Sequence, residues 1–404
     1  MTAVREAGGA SAREVRAAGG GCGWEALAGA ARVALPAPPA RDSASRSLAR
    51  AFLVINPGSC GGTAAETAAR YLALLAGEAY GPRPGSRSAP RGRGRAGDRR
   101  PAHEYTRDLD DARMIALRAL AAGHDPIVAI GGDGTINRVL NALMEHAGRL
   151  PAGSAAPRLG VLYAGTSPDF CRFHGLPTDP ENAVARLRQG ESRAIDVCRS
   201  EHCDAQGAIR AAFFASSSNI GLGAGIASRA NRLRPRLGDA AGTALASVLT
   251  IAGRRPQRVR LLLDGRPREI PALLNLTVGK NPYLAGGLKL DLPASPDDGR
   301  LFVFAVCGIG RLGLLAALPR IYSGAIARDP RFLLTRAERV RVEPAEGARR
   351  WAGGRARDAA EAGRGPAGAP APSWPTEFDG DPAGWCPAEI RVLPRAVQLI
   401  GGRP

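Results

Sequence analysis

Apolar and polar positions along the chain change their rhythm near residue 195. Before it, short apolar runs at Phe52–Ile55, Ile127–Ile130 and Leu159–Tyr163 stop at turns built from Asn, Gly and Pro. Short apolar runs between turn residues predict buried strands. The segments Thr63–Leu75, Ala112–Ala122, Asn137–Leu143 and Pro180–Arg188 space their apolar residues three and four apart, which predicts helices packed by one face. Strands alternating with helices predict a parallel sheet with crossover connections. From Ile195-Asp196-Val197 onward strand-like runs dominate: Ala211–Ala215, Arg258–Leu263, Leu273–Val278, Leu301–Val306, Val340–Glu343 and Ile390–Leu393. Helical pieces intrude at Gly225–Leu233, Gly242–Ala252 and Leu312–Tyr322. The expected division is an α/β domain over 51–195, a β-rich domain over 196–395 and a C-terminal tail over 396–404, whose Ala396–Ile400 is expected to return toward the first domain. Blocks without periodicity read as a disordered extension at 1–50, an Arg-rich insertion at 81–101 and a second insertion at 346–375.

Each early strand empties into a polar turn. Ile127–Ile130 runs into Gly131-Gly132-Asp133-Gly134-Thr135, and a helix follows. Glycine there lets a phosphate approach the backbone, and the next helix starts with unpaired N–H groups aimed at it. Asp133 is a carboxylate in that same turn. Beside a phosphate it is unfavourable unless it handles a metal ion or a proton, so the turn points to phosphoryl transfer. Upstream, Phe52–Ile55 leads into Asn56-Pro57-Gly58-Ser59-Cys60-Gly61-Gly62, where Asn56 and Ser59 can bond phosphate and the glycines open the backbone. Leu159–Tyr163 leads into Gly165-Thr166-Ser167-Pro168-Asp169-Phe170. Polar turns delivered to one edge of an open α/β sheet build a nucleotide crevice.

These residues resemble the diacylglycerol kinase catalytic family of bacterial lipid kinases, sphingosine kinases and ceramide kinases. Asn56 to Gly61 is similar to its Asn-Pro-x-Ser-Gly element, with Cys60 before the glycine, and Gly131 to Thr135 is identical to its Gly-Gly-Asp-Gly-Thr signature. Asn137 and Asn141 fit the helix after it, and Thr106 fits a strand-end threonine beside the nucleotide. Asn219 to Gly223, Gly286-Gly287, Pro293 to Gly299 and Phe378-Asp379-Gly380-Asp381 resemble later elements in the family's order. The resemblance implies a three-layer α/β nucleotide-binding domain followed by a β-sandwich that takes the lipid. It implies ATP-dependent phosphorylation of a lipid hydroxyl, on diacylglycerol, a sphingoid base or a ceramide-like acceptor, within phospholipid metabolism. ATP would lie across Asn56, Pro57, Gly58, Ser59, Cys60, Thr106, Gly131, Gly132, Gly134, Thr135, Asn137 and Thr166, with Mg2+ on its phosphates. Asp133 is expected at the reacting centre, through metal-bound water or as proton acceptor, and Asp381 as general base by family position. Asp298 is expected to hold a structural magnesium, although its usual acidic partner aligns with Pro293.

The sequence departs from the family in places. Pro168 replaces an Asn, Arg138 stands where an acid is usual, and Asp381 replaces Glu, one methylene shorter. They motivate an alternative, a nucleotide- and lipid-binding protein with little turnover. An NAD kinase shares the Gly131–Thr135 turn but needs an Asn-Glu pair for its ribose, and the chain has none.

Composition narrows the partners. Across 404 residues, 55 Lys and Arg against 37 Asp and Glu give a net charge of +18. Such a surface seeks nucleic acid, anionic membrane or polyphosphate. No zinc-finger spacing, RNP pattern or helix-turn-helix is present, so nucleic acid is not expected. A lipid substrate at the membrane surface, with peripheral contact, is; homodimerisation is left open. Seven cysteines without a Cys-x-x-Cys pair read as free thiols in a reducing cytosol. With no signal-peptide pattern and no long apolar span, the expected location is the cytoplasm, at the inner face of the membrane.

Overall fold

The computed structural model describes residues 48, 50–77, 101–204, 206–253, 256–284, 288–290, 292, 294–310, 313–314, 329, 331–344 and 374–402. Almost all of the segments read as extension and insertions, 1–50, 81–101 and 346–375, lie outside the described residues, as does most of the helix expected at Leu312–Tyr322.

Four strands begin the fold: β1 (Phe52–Ile55), β2 (Ala102–Tyr105), β3 (Ile127–Gly131) and β4 (Arg158–Tyr163). They pair in parallel in the order β2-β1-β3-β4. Between and after them run α1 (Ala64–Ala76), α2 (Leu109–Ala121), α3 (Asp133–Ala147), α4 (Asp169–His174) and α5 (Pro180–Gln189). Side chains alternate across a strand, so each strand feeds two cores. Val54, Ala129 and Val161 pack on α2 and α3. Leu53, Ile55, Val128, Ile130 and Leu162 pack on the opposite face against α1 and α5. That is why the strand sequences are apolar throughout rather than alternating. Local signals fix the helix starts: the Asp108 side chain caps α2 through Asp111 N–H, and Asp179 caps α5 through Asn182 N–H, with Pro180 in the first turn.

The second region contains β5 (Ser192–Cys203), β6 (Ile209–Phe214), β7 (Ser217–Gly221), α6 (Leu222–Leu237), α7 (Asp239–Gly253), β8 (Gln257–Leu263) and β9 (Arg266–Gly279). The short pair β10 (Tyr283–Leu284) and β11 (Leu288–Lys289) follows, then β12 (Leu301–Cys307), β13 (Phe332–Ala337), β14 (Arg339–Pro344), β15 (Pro375–Phe378) and β16 (Asp381–Ile400). The pairings β9-β7-β15-β16-β14-β8-β9 close on themselves, all antiparallel. They enclose a core of Phe214, Leu261, Leu276, Val303, Val340, Phe378 and Ile390.

The end of the chain returns to the first domain as expected, but as a paired strand rather than a tail. Ala396–Ile400 is the last part of β16, antiparallel to β5 and parallel to β4 through Gln398 and Leu399. Val397, Leu399 and Ile400 are buried, so both sheet neighbours and both cores hold this segment. It joins the parallel sheet to the antiparallel region in one continuous hydrogen-bonded sheet.

Candidate active site

The glycine turn is shaped by close backbone approach. Gly132 is the N-cap of α3, and its carbonyl accepts from Thr135 N–H (2.9 Å) and Ile136 N–H (3.1 Å). A Cβ on Gly165 would stand 2.6 Å from Gly132 Cα and 2.6 Å from the Tyr163 hydroxyl. The second and third turns therefore abut backbone to backbone. Asn56 ties in the first turn: its Nδ2 donates to Thr135 Oγ1 (3.0 Å), and its Oδ1 accepts from Gly58 N–H (3.1 Å). Thr106 follows β2 and donates its N–H to Ile55 O (2.8 Å), while its buried hydroxyl has no hydrogen-bond partner among the described residues. Thr166 is exposed in the third turn. The structure thus brings Asn56, Gly58, Gly131, Gly132, Gly134 and Thr135 together.

Acids converge on this cradle from both regions. Burial pushes the Asp133 carboxyl up to about 8, with Asp379 and Asp169 repelling its charge and Arg172 opposing them. Its Oδ1 is buried without a partner among the described residues. Asp379 sits at φ 51° in the turn between β15 and β16. Burial raises it to about 6, against the Ser217 N–H (3.0 Å) and Asn137 Nδ2 (3.1 Å) that favour its ionised form. Asp381 Oδ2 lies 3.7 Å from where a Cβ on Gly134 would be, so the second region delivers this acid directly onto the glycine turn. Burial raises its carboxyl while Arg138, 3.4 Å away, lowers it. Arg138 also binds Asp110 (2.9 Å), so it sits between two acids.

Asn137 plays a different part from the nucleotide contact expected of it. It is buried in α3 and donates to Phe213 O (3.1 Å) and Asp379 Oδ2 (3.1 Å). Asn141 one turn on exchanges hydrogen bonds with the Phe213 backbone (2.8 and 2.9 Å). Together they clamp α3 to β6 and to the Asp379 turn. Glu377, which sequence reading passed over, is fully buried behind that turn. It accepts from Asn219 Nδ2 and from Gly380 N–H (2.6 Å), and burial pushes its carboxyl up to about 8. The signal available was its place two residues ahead of Asp379 in a strand otherwise built for a core.

Asp298 is also corrected. Its carboxylate is held by Lys280 Nζ (2.5 Å), Arg336 and Arg300 N–H (3.0 Å). The same Nζ binds Asp196 Oδ2 (2.7 Å) and Arg300 O (2.9 Å). Lys280 is buried, so an ammonium already fills the oxygen-lined position a magnesium would need. The residues do not fit a metal there. Asp196 further accepts from Gly299 N–H (2.7 Å) and Arg395 N–H (2.9 Å), so the cluster around this cation joins β5, the turn before β12, and β16. The neighbouring Asn281 donates to Asp169 O (2.9 Å), fixing the third turn of the cradle.

The cradle itself fits a nucleotide. Glycine backbones leave space where side chains would intrude, and the Thr106 hydroxyl and Asp133 Oδ1 await partners. No cluster of three or more metal-ligating side chains occurs among the described residues. A magnesium here would depend mainly on phosphate oxygens, with Asp133 as the protein's contribution.

A cradle of backbone turns at a parallel-sheet edge, faced by acids from an antiparallel region, defines a two-part phosphoryl-transfer fold. Residues 50–200 match the diacylglycerol kinase catalytic domain, and residues 216–401 match the YegS C-terminal NAD kinase beta sandwich-like domain. A diacylglycerol kinase of Mycobacterium tuberculosis is 29% identical over 297 residues, covering 73% of this chain and 83% of that one. A YegS-like lipid kinase of Pseudomonas aeruginosa is 31% identical over 246 residues, 59% of this chain and 72% of that one. A diacylglycerol kinase structure from Bacillus anthracis superposes with a TM-score of 0.54 at 16% identity, covering 88% of this chain and 97% of that one. The chain belongs to the diacylglycerol kinase family of YegS-like lipid kinases.

Proposed function

We propose that this chain transfers the γ-phosphoryl group of ATP to the hydroxyl of a membrane lipid, with diacylglycerol the first acceptor to test. The observation that carries the reading is the cradle: glycine turns that admit phosphate, over Asp133, whose Oδ1 is buried and unpartnered among the described residues. Membership of a lipid kinase family sets the reaction class, and the relatives named diacylglycerol kinase motivate the acceptor.

The catalytic contribution of the chain is positioning and charge. The glycine turns and the N-terminus of α3 offer backbone N–H groups to the phosphates. In this reading Asp381 accepts the proton of the attacking hydroxyl, and Asp133 orients the phosphate end. Asp379, Asn137 and Glu377 are positioning residues that fix Asp381 against Gly134. Magnesium, brought with the nucleotide, supplies neutralisation of phosphate charge. Contact with the inner face of the cytoplasmic membrane follows from the substrate.

The test is transfer of label from γ-labelled ATP into a lipid panel dispersed in detergent with magnesium, resolved by chromatography. A labelled phosphatidic acid spot is expected. ATP binding with no labelled lipid across diacylglycerol, sphingoid base and ceramide would favour the binding-protein alternative.

A further inference from the structure

Helix α7 is built inside out. Its inward face is small and polar: Gly242, Ala246 and Thr250 are buried. A Cβ on Gly242 would meet the Arg234 backbone nitrogen at 2.8 Å, so α6 and α7 cross with almost no gap. The polar side chains are occupied within the hairpin. Arg234 donates to Thr243 Oγ1 (3.1 Å), Arg229 to Thr250 Oγ1 (3.0 Å), Thr250 to Ala246 O (2.6 Å) and Ser247 to Thr243 O (2.8 Å). Ile251 packs against the core beside it, but three large apolar side chains point the other way: Leu245 is 40% exposed, Val248 60% and Leu249 47%. Ala241, Ala244 and Ala252 extend the same exposed stripe. No charged residue occurs between Asp239 and Arg254. A water-facing helix normally shows the opposite pattern.

The charge beside the stripe selects what covers it. Arg232, Arg234 and Arg236 are exposed at the end of α6, next to the exposed Leu237, and in the sequence Arg254-Arg255 follow α7. An apolar stripe bracketed by arginines complements the acyl boundary and anionic headgroups of a bilayer. The hairpin also springs directly from β7, whose Asn219 binds Glu377 behind the Asp379–Asp381 turn. We propose that the outward face of α7, with the arginine-bearing end of α6, is the surface by which this chain lies on an anionic membrane. The inference rests on the lipid kinase reading and deepens it, by naming the face that meets the substrate's own phase.

The experiment is co-sedimentation of the full chain with phosphatidylcholine vesicles, with and without phosphatidylglycerol. It compares the wild type with Val248→Asp/Leu249→Asp and with Arg232→Glu/Arg236→Glu, which spares Arg234. The wild type should bind the anionic vesicles, and more weakly as salt rises. The apolar variant should lose about a hundredfold in partitioning, since each of the two inserted side chains contributes roughly tenfold. The charge variant should lose its preference for phosphatidylglycerol. Turnover of a short-chain diacylglycerol in free solution should stay within about twofold of wild type in both variants, because no bilayer is involved. Wild-type binding unaffected by both pairs of substitutions, or no wild-type binding, overturns the proposal. So does a wild-type dimer that either variant dissociates, since a second copy would then cover the stripe. Vesicle binding lost as described, with no turnover of any lipid by the wild type, would leave the surface standing and sink the kinase reading.

Discussion

Asp133→Asn separates what this carboxyl does for the fold from what it does for transfer. Raising a carboxyl from 3.8 to about 8 by burial means that its ionised form is disfavoured in the native state. At ~1.4 kcal/mol per decade the penalty is on the order of 5 kcal/mol. The native chain keeps this proton up to about pH 8, whereas the unfolded chain releases it near 3.8. Across that window the native state binds more protons, so stability falls as pH rises. Asparagine has nearly the same shape and can still accept the Phe170 N–H that Asp133 uses, but its amide leaves a donor without a partner, a cost of about 1 kcal/mol. The variant should therefore match or slightly exceed wild type at pH 5, where linkage has already cost the wild type over about 1.2 pH units, and exceed it by about 4 kcal/mol at pH 9. Urea unfolding at both pH values reads this directly, and phosphoryl transfer should be abolished at each. A stability difference that does not change with pH would refute the burial argument. Full transfer by the variant would refute the role at the reacting centre.

Other predictions test the surrounding parts. Lys280→Met should destabilise by about 3 kcal/mol, the lower end for breaking a buried ion pair, because Asp196 keeps two backbone donors and Asp298 keeps Arg336. A wild-type thermal midpoint that drops with EDTA in the absence of nucleotide would instead put a metal in that cage. Gly165→Ala should abolish ATP binding, since its Cβ would stand 2.6 Å from Gly132 Cα, and equilibrium dialysis with labelled ATP tests it. Arg138→Met should move the acid limb of the kcat profile to higher pH, because Arg138 lowers the Asp381 carboxyl. An unmoved limb would remove Asp381 as the proton acceptor.

The local chemistry was legible in the chain itself. Apolar runs ending in glycine turns place Asn56, Gly131–Thr135 and Gly165 at one sheet edge, because a buried parallel strand must be apolar on both faces and its turn must admit a phosphate. The helix start at Pro180 was equally local, whereas α2 begins at Leu109, three residues before the expected Ala112, because Asp108 caps it. Long-range geometry decided the rest. Whether Asn137 faces a nucleotide or a neighbouring strand depends on where β6 and the Asp379 turn lie, and both are distant in sequence. Asp298 presents the same Asp-Asp-Gly sequence whether its partner is magnesium or Lys280. Only the fold, by burying that ammonium among Asp196, Asp298 and the Arg300 carbonyl, selects the second. Ala396–Ile400 is short enough to pass for a tail, and it becomes a central strand because β4 and β5 leave a gap of unpaired backbone between them. Sequence periodicity records which faces are apolar; the packing of distant elements determines which of those faces is covered and which charge meets which.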